Sequence, residues 1–107
     1  MEKIYKKLVR DKIPEICRQD GEMPKYLKLN NFEFKKELGK KLAEEVKELA
    51  KAPRKEIKNE IADVYEVLLA LAKHFGLKWP AIEKYRQEKK RKRGGFDKKY
   101  FLVSSKK

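Results

Sequence analysis

Four carboxylates recur at matched spacings, Glu45 with Glu48 in one segment and Glu60 with Asp63 in the next. Residues three apart on a helix stand one above the other, with about 5–6 Å between their Cβ atoms. Which acids can turn inward is a question of helical phase. Leu38, Leu42, Val46 and Leu49 recur at intervals of three and four and predict the buried stripe of a helix. At the helical pitch Glu45 falls within about 60° of Leu42, inside that stripe. Glu48 falls at its edge, and Glu44 on nearly the opposite side, in solvent. In the next segment Ile57, Ile61, Val64, Leu68 and Leu71 predict the core, with Glu60 on the margin of their stripe and Asp63 one step further round, in line with Val67.

Either spacing alone is a weak signal in a chain that is 44% charged, where such pairs also arise as solvated helix faces. Two pairs on consecutive helices, both phased against the core, are a stronger one. Carboxylates gathered beside a core repel one another and lose solvation, which a fold tolerates mainly when a cation sits among them. Oxygen donors without His or Cys suit Mg²⁺ or Mn²⁺ rather than zinc.

The elements that must position these acids can be read from their punctuation. Ile4, Tyr5, Leu8 and Val9 open the chain as an apolar patch. Pro14 suits the first turn of a short helix reaching about Asp20, with Gly21 as its stop. Tyr26, Leu27 and Leu29 lie in an irregular or extended connection that contains Pro24. Asn30 or Asn31 can cap a long helix over roughly Phe32 to Ala52, and Pro53 begins another that Gly76 stops after Phe75. The turn between the two is short, so they should run antiparallel, with both acid pairs toward the turn and facing each other. Pro80 starts a further helix that runs into the basic stretch Lys89 to Arg93 and ends at Gly94-Gly95. Phe96, Tyr100, Phe101, Leu102 and Val103 form an apolar tail expected to pack back on the helices. Nothing reads as a sheet. The predicted fold is all-α, an antiparallel helical bundle with a central two-helix hairpin, in a single domain spanning residues 1–107.

Composition narrows the function classes. A net charge of +13 over 107 residues favours polyanionic partners, whether nucleotides, nucleic acid or an acidic membrane surface. Heat adaptation accounts for a Lys-rich surface equally well. Cys17 stands alone, which excludes an intramolecular disulfide and a cysteine zinc site and fits a reducing cytoplasm. The opening Met1-Glu2-Lys3-Ile4 lacks the apolar run of a signal peptide. The longest apolar run, Val67 to Ala72, is too short to span a bilayer. A soluble, cytoplasmic protein without a membrane partner is expected. There is no glycine-rich phosphate loop. The single histidine, His74, suits a helix C-terminus better than catalysis. Core packing is favoured over base stacking for Trp79, Tyr85 and Tyr100.

Glu44-Glu45-Val46-Lys47-Glu48 followed by Glu60-Ile61-Ala62-Asp63 resembles the EExxE…ExxD signature of the MazG-like, all-α NTP pyrophosphohydrolases. Lys7-Leu8-Val9-Arg10-Asp11-Lys12-Ile13-Pro14-Glu15-Ile16 resembles the opening of a single-domain branch labelled phosphoribosyl-ATP pyrophosphohydrolase-like, and Arg93-Gly94-Gly95-Phe96 resembles its C-terminal end. The resemblance implies a four-helix-type core assembled as a homodimer or homotetramer. It also implies Mg²⁺-dependent hydrolysis of nucleoside triphosphates between the α- and β-phosphates, giving monophosphate and pyrophosphate. On this pattern Glu45, Glu48, Glu60 and Asp63 would be the metal ligands. Glu45 or Glu48 would serve as catalytic base, and Arg10, Lys12 and Arg93 would bind the substrate phosphates. Glu44 matches the first acid of the signature, but its phase turns it away from the others.

Assembly is expected on independent grounds too, because the second helix is apolar nearly all round from Ile61 to Ala72, more than a lone chain of this size readily covers. The competing reading is a basic helical nucleic-acid-binding protein without catalysis, using Lys89 to Arg93 and the Lys-rich termini. A catalytically silent helical dimer held by ion pairs is a third. The nucleic-acid reading explains the charge but leaves the phased acids unexplained.

Overall fold

Proline, asparagine or glycine bounds each helix of this chain. The computed structural model describes Met1–Lys107. It contains α1 (Ile13–Gln19), α2 (Asn31–Lys51), α3 (Ile57–His74) and α4 (Trp79–Arg93), with a 3₁₀ turn at Arg54–Glu56 ahead of α3 and no strand. The Asn30 side chain accepts a hydrogen bond from the Glu33 backbone N–H at 2.8 Å, which satisfies one of the donors left free at the start of α2. Proline stands at the first turn of α1 and of α4, where its missing N–H is not needed. Gly76 and Gly94 follow α3 and α4 with φ of +69° and +81°, a conformation that a side chain would strain. The all-α expectation holds.

The packed unit is the hairpin of α2 and α3. The Phe34 ring, near the start of α2, meets His74, at the end of α3, edge-on with centroids 5.7 Å apart. Nearer the connection, Glu45 comes beside Glu60 and Asp63. The two helices therefore run antiparallel. Between these levels lies a thin core. Leu38 is 2% exposed, Ala72 7% and Val67 8%, and the only other residue buried to this degree is Glu45. Trp79 stacks against Tyr65 with ring centroids 5.4 Å apart, which seats the start of α4 on α3. No helix is long and apolar enough to cross a membrane.

Two expectations about the core need correction. Val46, Ile61 and Leu68 were predicted to be buried, yet they lie on the surface, about half, half and two-fifths exposed. A helix that is apolar almost all round carries little phase information of its own, and the stripe on α2 selects Val67 and Ala72 as the side of α3 that meets it. The apolar tail does not fold back, and Phe96, Tyr100, Phe101, Leu102 and Val103 stand in solvent. The radius of gyration is accordingly 18.5 Å, where a compact domain of this length would have about 13 Å.

Candidate metal centre

Glu45 is carried on the side of α2 that faces α3, in the same stripe as Leu38, and packing of the two helices buries it. Glu60 and Asp63 come from consecutive positions of one face of α3, three residues apart. One carboxylate oxygen from each of Glu45, Glu60 and Asp63 lies within 4.8 Å of the others.

Positive charge reaches this group from two sides. Lys41, one turn before Glu45 on α2, places its Nζ 3.4 Å from Glu45 Oε1 and 3.9 Å from Glu44 Oε1. Arg10 donates from Nη2 to Asp63 Oδ1 at 2.8 Å. The backbone holds Arg10 just ahead of α1, because its carbonyl accepts the Ile13 N–H at 3.1 Å. Lys7 adds an ion pair to Glu44 at 3.5 Å.

These cations leave the group incompletely satisfied. Glu45 Oε2 and Glu60 Oε2 are both buried and have no hydrogen-bond partner. Burial pushes the Glu60 carboxyl above its ordinary range, and the charges of Glu48, Asp63 and Glu45 push it further, while a hydrogen bond from the Asn59 side chain acts the other way. An unsatisfied buried carboxylate oxygen costs on the order of 1–3 kcal/mol or more, so two side by side call for a ligand that accepts their lone pairs. A hard divalent cation fits this all-oxygen donor set, and Glu45, Glu60 and Asp63 are the residues placed to hold it.

The remaining predicted site residues lie further out. Glu48 is exposed and outside the tight group, although its charge is felt by Glu60. Lys12 occupies the N-cap of α1 and Arg93 the last turn of α4; both are exposed, and neither forms an ion pair. Lys41 was not singled out from sequence. Its signal was present, since a lysine four residues before Glu45 on the same helix is spaced to reach it.

The profile of the MazG-like family matches residues 32–101. That segment includes α2 from its second residue, α3, α4 and all four predicted ligands, and excludes Arg10 and Lys12. No curated protein matches the chain, and no solved structure does. With well over half its length covered, and an inward-facing acid group on the hairpin inside that match, this chain belongs to the MazG-like family.

Proposed function

We propose that the protein is a Mg²⁺-dependent nucleoside triphosphate pyrophosphohydrolase that cleaves between the α- and β-phosphates. The observation that carries this reading is the pair of buried, unpartnered oxygens of Glu45 and Glu60 beside Asp63, since a solvated acidic face would leave no carboxylate oxygen both buried and unpaired. Membership of the family supports a hydrolase of this general kind, and the resemblance of the Lys7 to Ile16 motif favours the phosphoribosyl-ATP pyrophosphohydrolase-like branch.

Glu45, Glu60 and Asp63 would hold a divalent cation, which when bound would supply charge neutralisation at the phosphates and a more acidic water. Glu48 lies outside the tight group, beside Glu60 in charge, and is free to take the proton of the attacking water. Arg10 already stands on Asp63 and offers its remaining guanidinium donors to a phosphate oxygen. Lys12 and Arg93 are exposed cations for the rest of the triphosphate chain. The water oxygen bonds to phosphorus as the α–β bridge breaks, and monophosphate and pyrophosphate leave. Lys41 pairs with Glu45 and helps to orient its carboxylate.

The reading includes a homodimer or homotetramer, supported by the exposure of Ile61, Tyr65 and Leu68 along α3. A panel of nucleoside triphosphates assayed for pyrophosphate and monophosphate, with and without Mg²⁺, tests it. Turnover that requires Mg²⁺ and is lost in Glu60→Gln is expected; turnover insensitive to both would sink the proposal.

A second reading rests on Lys89 to Arg93, none of which pairs with a carboxylate. Such a run suits a nucleic-acid phosphate backbone. Tight, salt-sensitive binding to an oligonucleotide without Mg²⁺-dependent turnover would favour it.

A further inference from the structure

Two apolar surfaces of this chain lie open, and neither covers the other. Leu49 of α2, Ile61, Tyr65 and Leu68 of α3, and Trp79 and Glu83 of α4 line one apolar groove. Beyond α4, Phe96 is 97% exposed and Phe101 89%, with Leu102 and Val103 nearly as bare. From Lys84 onward every hydrogen bond, ion pair and cation–ring contact stays within α4 or the tail itself, such as Arg86 with Glu83 and Lys99 N–H with the Phe96 carbonyl. The helix passes the groove at Glu83 and continues to Arg93, about 15 Å further. Gly94, at φ +81° and ψ 177°, then carries the tail onward. The molecule's long axis is 62 Å, about twice the roughly 31 Å that a helix of α2's 21 residues spans.

The exposed area says how much must be covered. The chain presents 10687 Å² to solvent, whereas a folded monomer of 12.8 kDa presents about 6,300 Å². The excess of about 4,400 Å² is several times the roughly 800 Å² that each partner buries in a standard interface. A two-fold pair in which each chain lent its arm would cover both surfaces of both chains at once. Charge agrees with this arrangement. The arm ends in unpaired Lys89 to Arg93, while the hairpin carries Glu45, Glu48, Glu60 and Asp63 in one place with only Lys41 and Arg10 directly against them.

The geometry points to an exchanged arm: in a homodimer the C-terminal arm of each chain lies along the apolar groove of the second copy and presents Arg93 to the substrate phosphates at that copy's carboxylates. The site is then incomplete in one chain. Acids and Arg10 come from one copy, and the cation beside the paired glycines comes from the other, where its planar fork grips two phosphate oxygens. This inference rests on the catalytic reading of the carboxylates for the role of Arg93, and on the exposed apolar surfaces alone for the docking of the arm.

Two measurements test it. In sedimentation at micromolar concentration the unaltered chain should be a dimer or larger. The Phe96→Asp/Phe101→Asp variant, altered only in the solvent-exposed tail, should become a monomer with unchanged helical circular dichroism. An unaltered monomer, or a variant that keeps its assembly, overturns the docked arm. In the second measurement, Glu45→Gln and Arg93→Ala chains are each nearly inactive alone and are co-expressed with different tags. Random pairing leaves half of the dimers mixed, each with one intact site of two, so activity should return to about a quarter of normal. No recovery on co-expression, or an Arg93→Ala homodimer with full activity, overturns the shared site. If the unaltered protein cleaves no nucleotide, the catalytic reading has failed, and sedimentation still decides whether the arm docks.

Discussion

The Arg10 guanidinium donates to the Asp63 carboxylate at 2.8 Å and joins residues 53 positions apart. Side-chain exposure of 58% and 32% limits what the pair adds to stability, to about 0–1 kcal/mol. Its consequence is positional. It ties the segment ahead of α1 to α3 and stands an always-charged planar donor at the border of the acid group, where an arriving phosphate would meet it.

Replacing Arg10 should therefore separate metal binding from phosphate binding. In Arg10→Ala, Asp63 loses its competing cation, so Mg²⁺ titration should give an equal or tighter dissociation constant. The melting temperature should move by only a few degrees. Nucleotide kcat/KM should fall by about 10- to 100-fold, the loss of a charge-assisted contact worth roughly 1.5–3 kcal/mol. Weaker Mg²⁺ binding with unchanged kcat/KM would show that Arg10 only supports the acid group.

Metal binding should be visible in the melting temperature. A ligand that binds only the folded state at about 100 times its dissociation constant adds roughly 2.7 kcal/mol, which in a domain of this size raises the midpoint by about 10 °C or more. Saturating Mg²⁺ should produce such a rise in the unaltered protein and little of it in Glu45→Gln or Glu60→Gln. A rise that survives both substitutions would place the metal elsewhere.

The inward turn of Glu45 was legible in the sequence because Leu38 and Leu42 fix the phase of α2, and Asn30 announced where that helix begins. Ile61 and Leu68 were not legible as surface residues. A stripe that meets a helix of the same chain and one left bare for another molecule have the same period, so hydrophobic pattern cannot tell them apart. Glu48 shares its helix and spacing with Glu45, yet sits one step round, and that step separates an exposed acid from a buried one. The approach of Arg10 to Asp63 crosses too much chain for any spacing rule; the resemblance of its motif suggested a phosphate-binding role for Arg10, not this contact.

The acid group should also mark the pH dependence of the metal-free protein. Glu60 has its carboxyl raised above the ordinary value of 4.5, so the fold disfavours its charged form. Its contribution to stability is full below that ordinary value and is lost as pH rises through the raised one. Glu83 is shifted the opposite way by its hydrogen bonds to Arg86, and loses its contribution as pH falls through its lowered value. A comparison with Glu60→Gln isolates the first effect. The variant should melt higher than the unaltered chain near neutral pH without metal, and the difference should shrink as pH is lowered toward 4.5. A difference that stays constant with pH would mean that Glu60 is not strained by its neighbours.

The surplus of positive charge should act on encounter rather than on chemistry. With +13 spread over 107 residues, a nucleotide is attracted before it reaches the acids, and this attraction is screened once ionic strength shortens the Debye length to about 8 Å at 0.15 M. Added salt should lower kcat/KM and leave kcat nearly flat. Neutral replacements at Lys89, Lys90, Arg91 and Lys92, which are exposed and pair with no carboxylate, should flatten the salt dependence and leave kcat intact. Arg10→Ala and Arg93→Ala should behave otherwise. A cation in contact with phosphate is poorly screened, so both should depress kcat/KM by a similar factor at every salt concentration. Arg93 thus separates itself from the four basic residues before it, although all five lie on one exposed helical run. If its removal merely reproduced the flattened salt response of its neighbours, Arg93 would belong to the attracting surface and the phosphate contact would have to come from another residue.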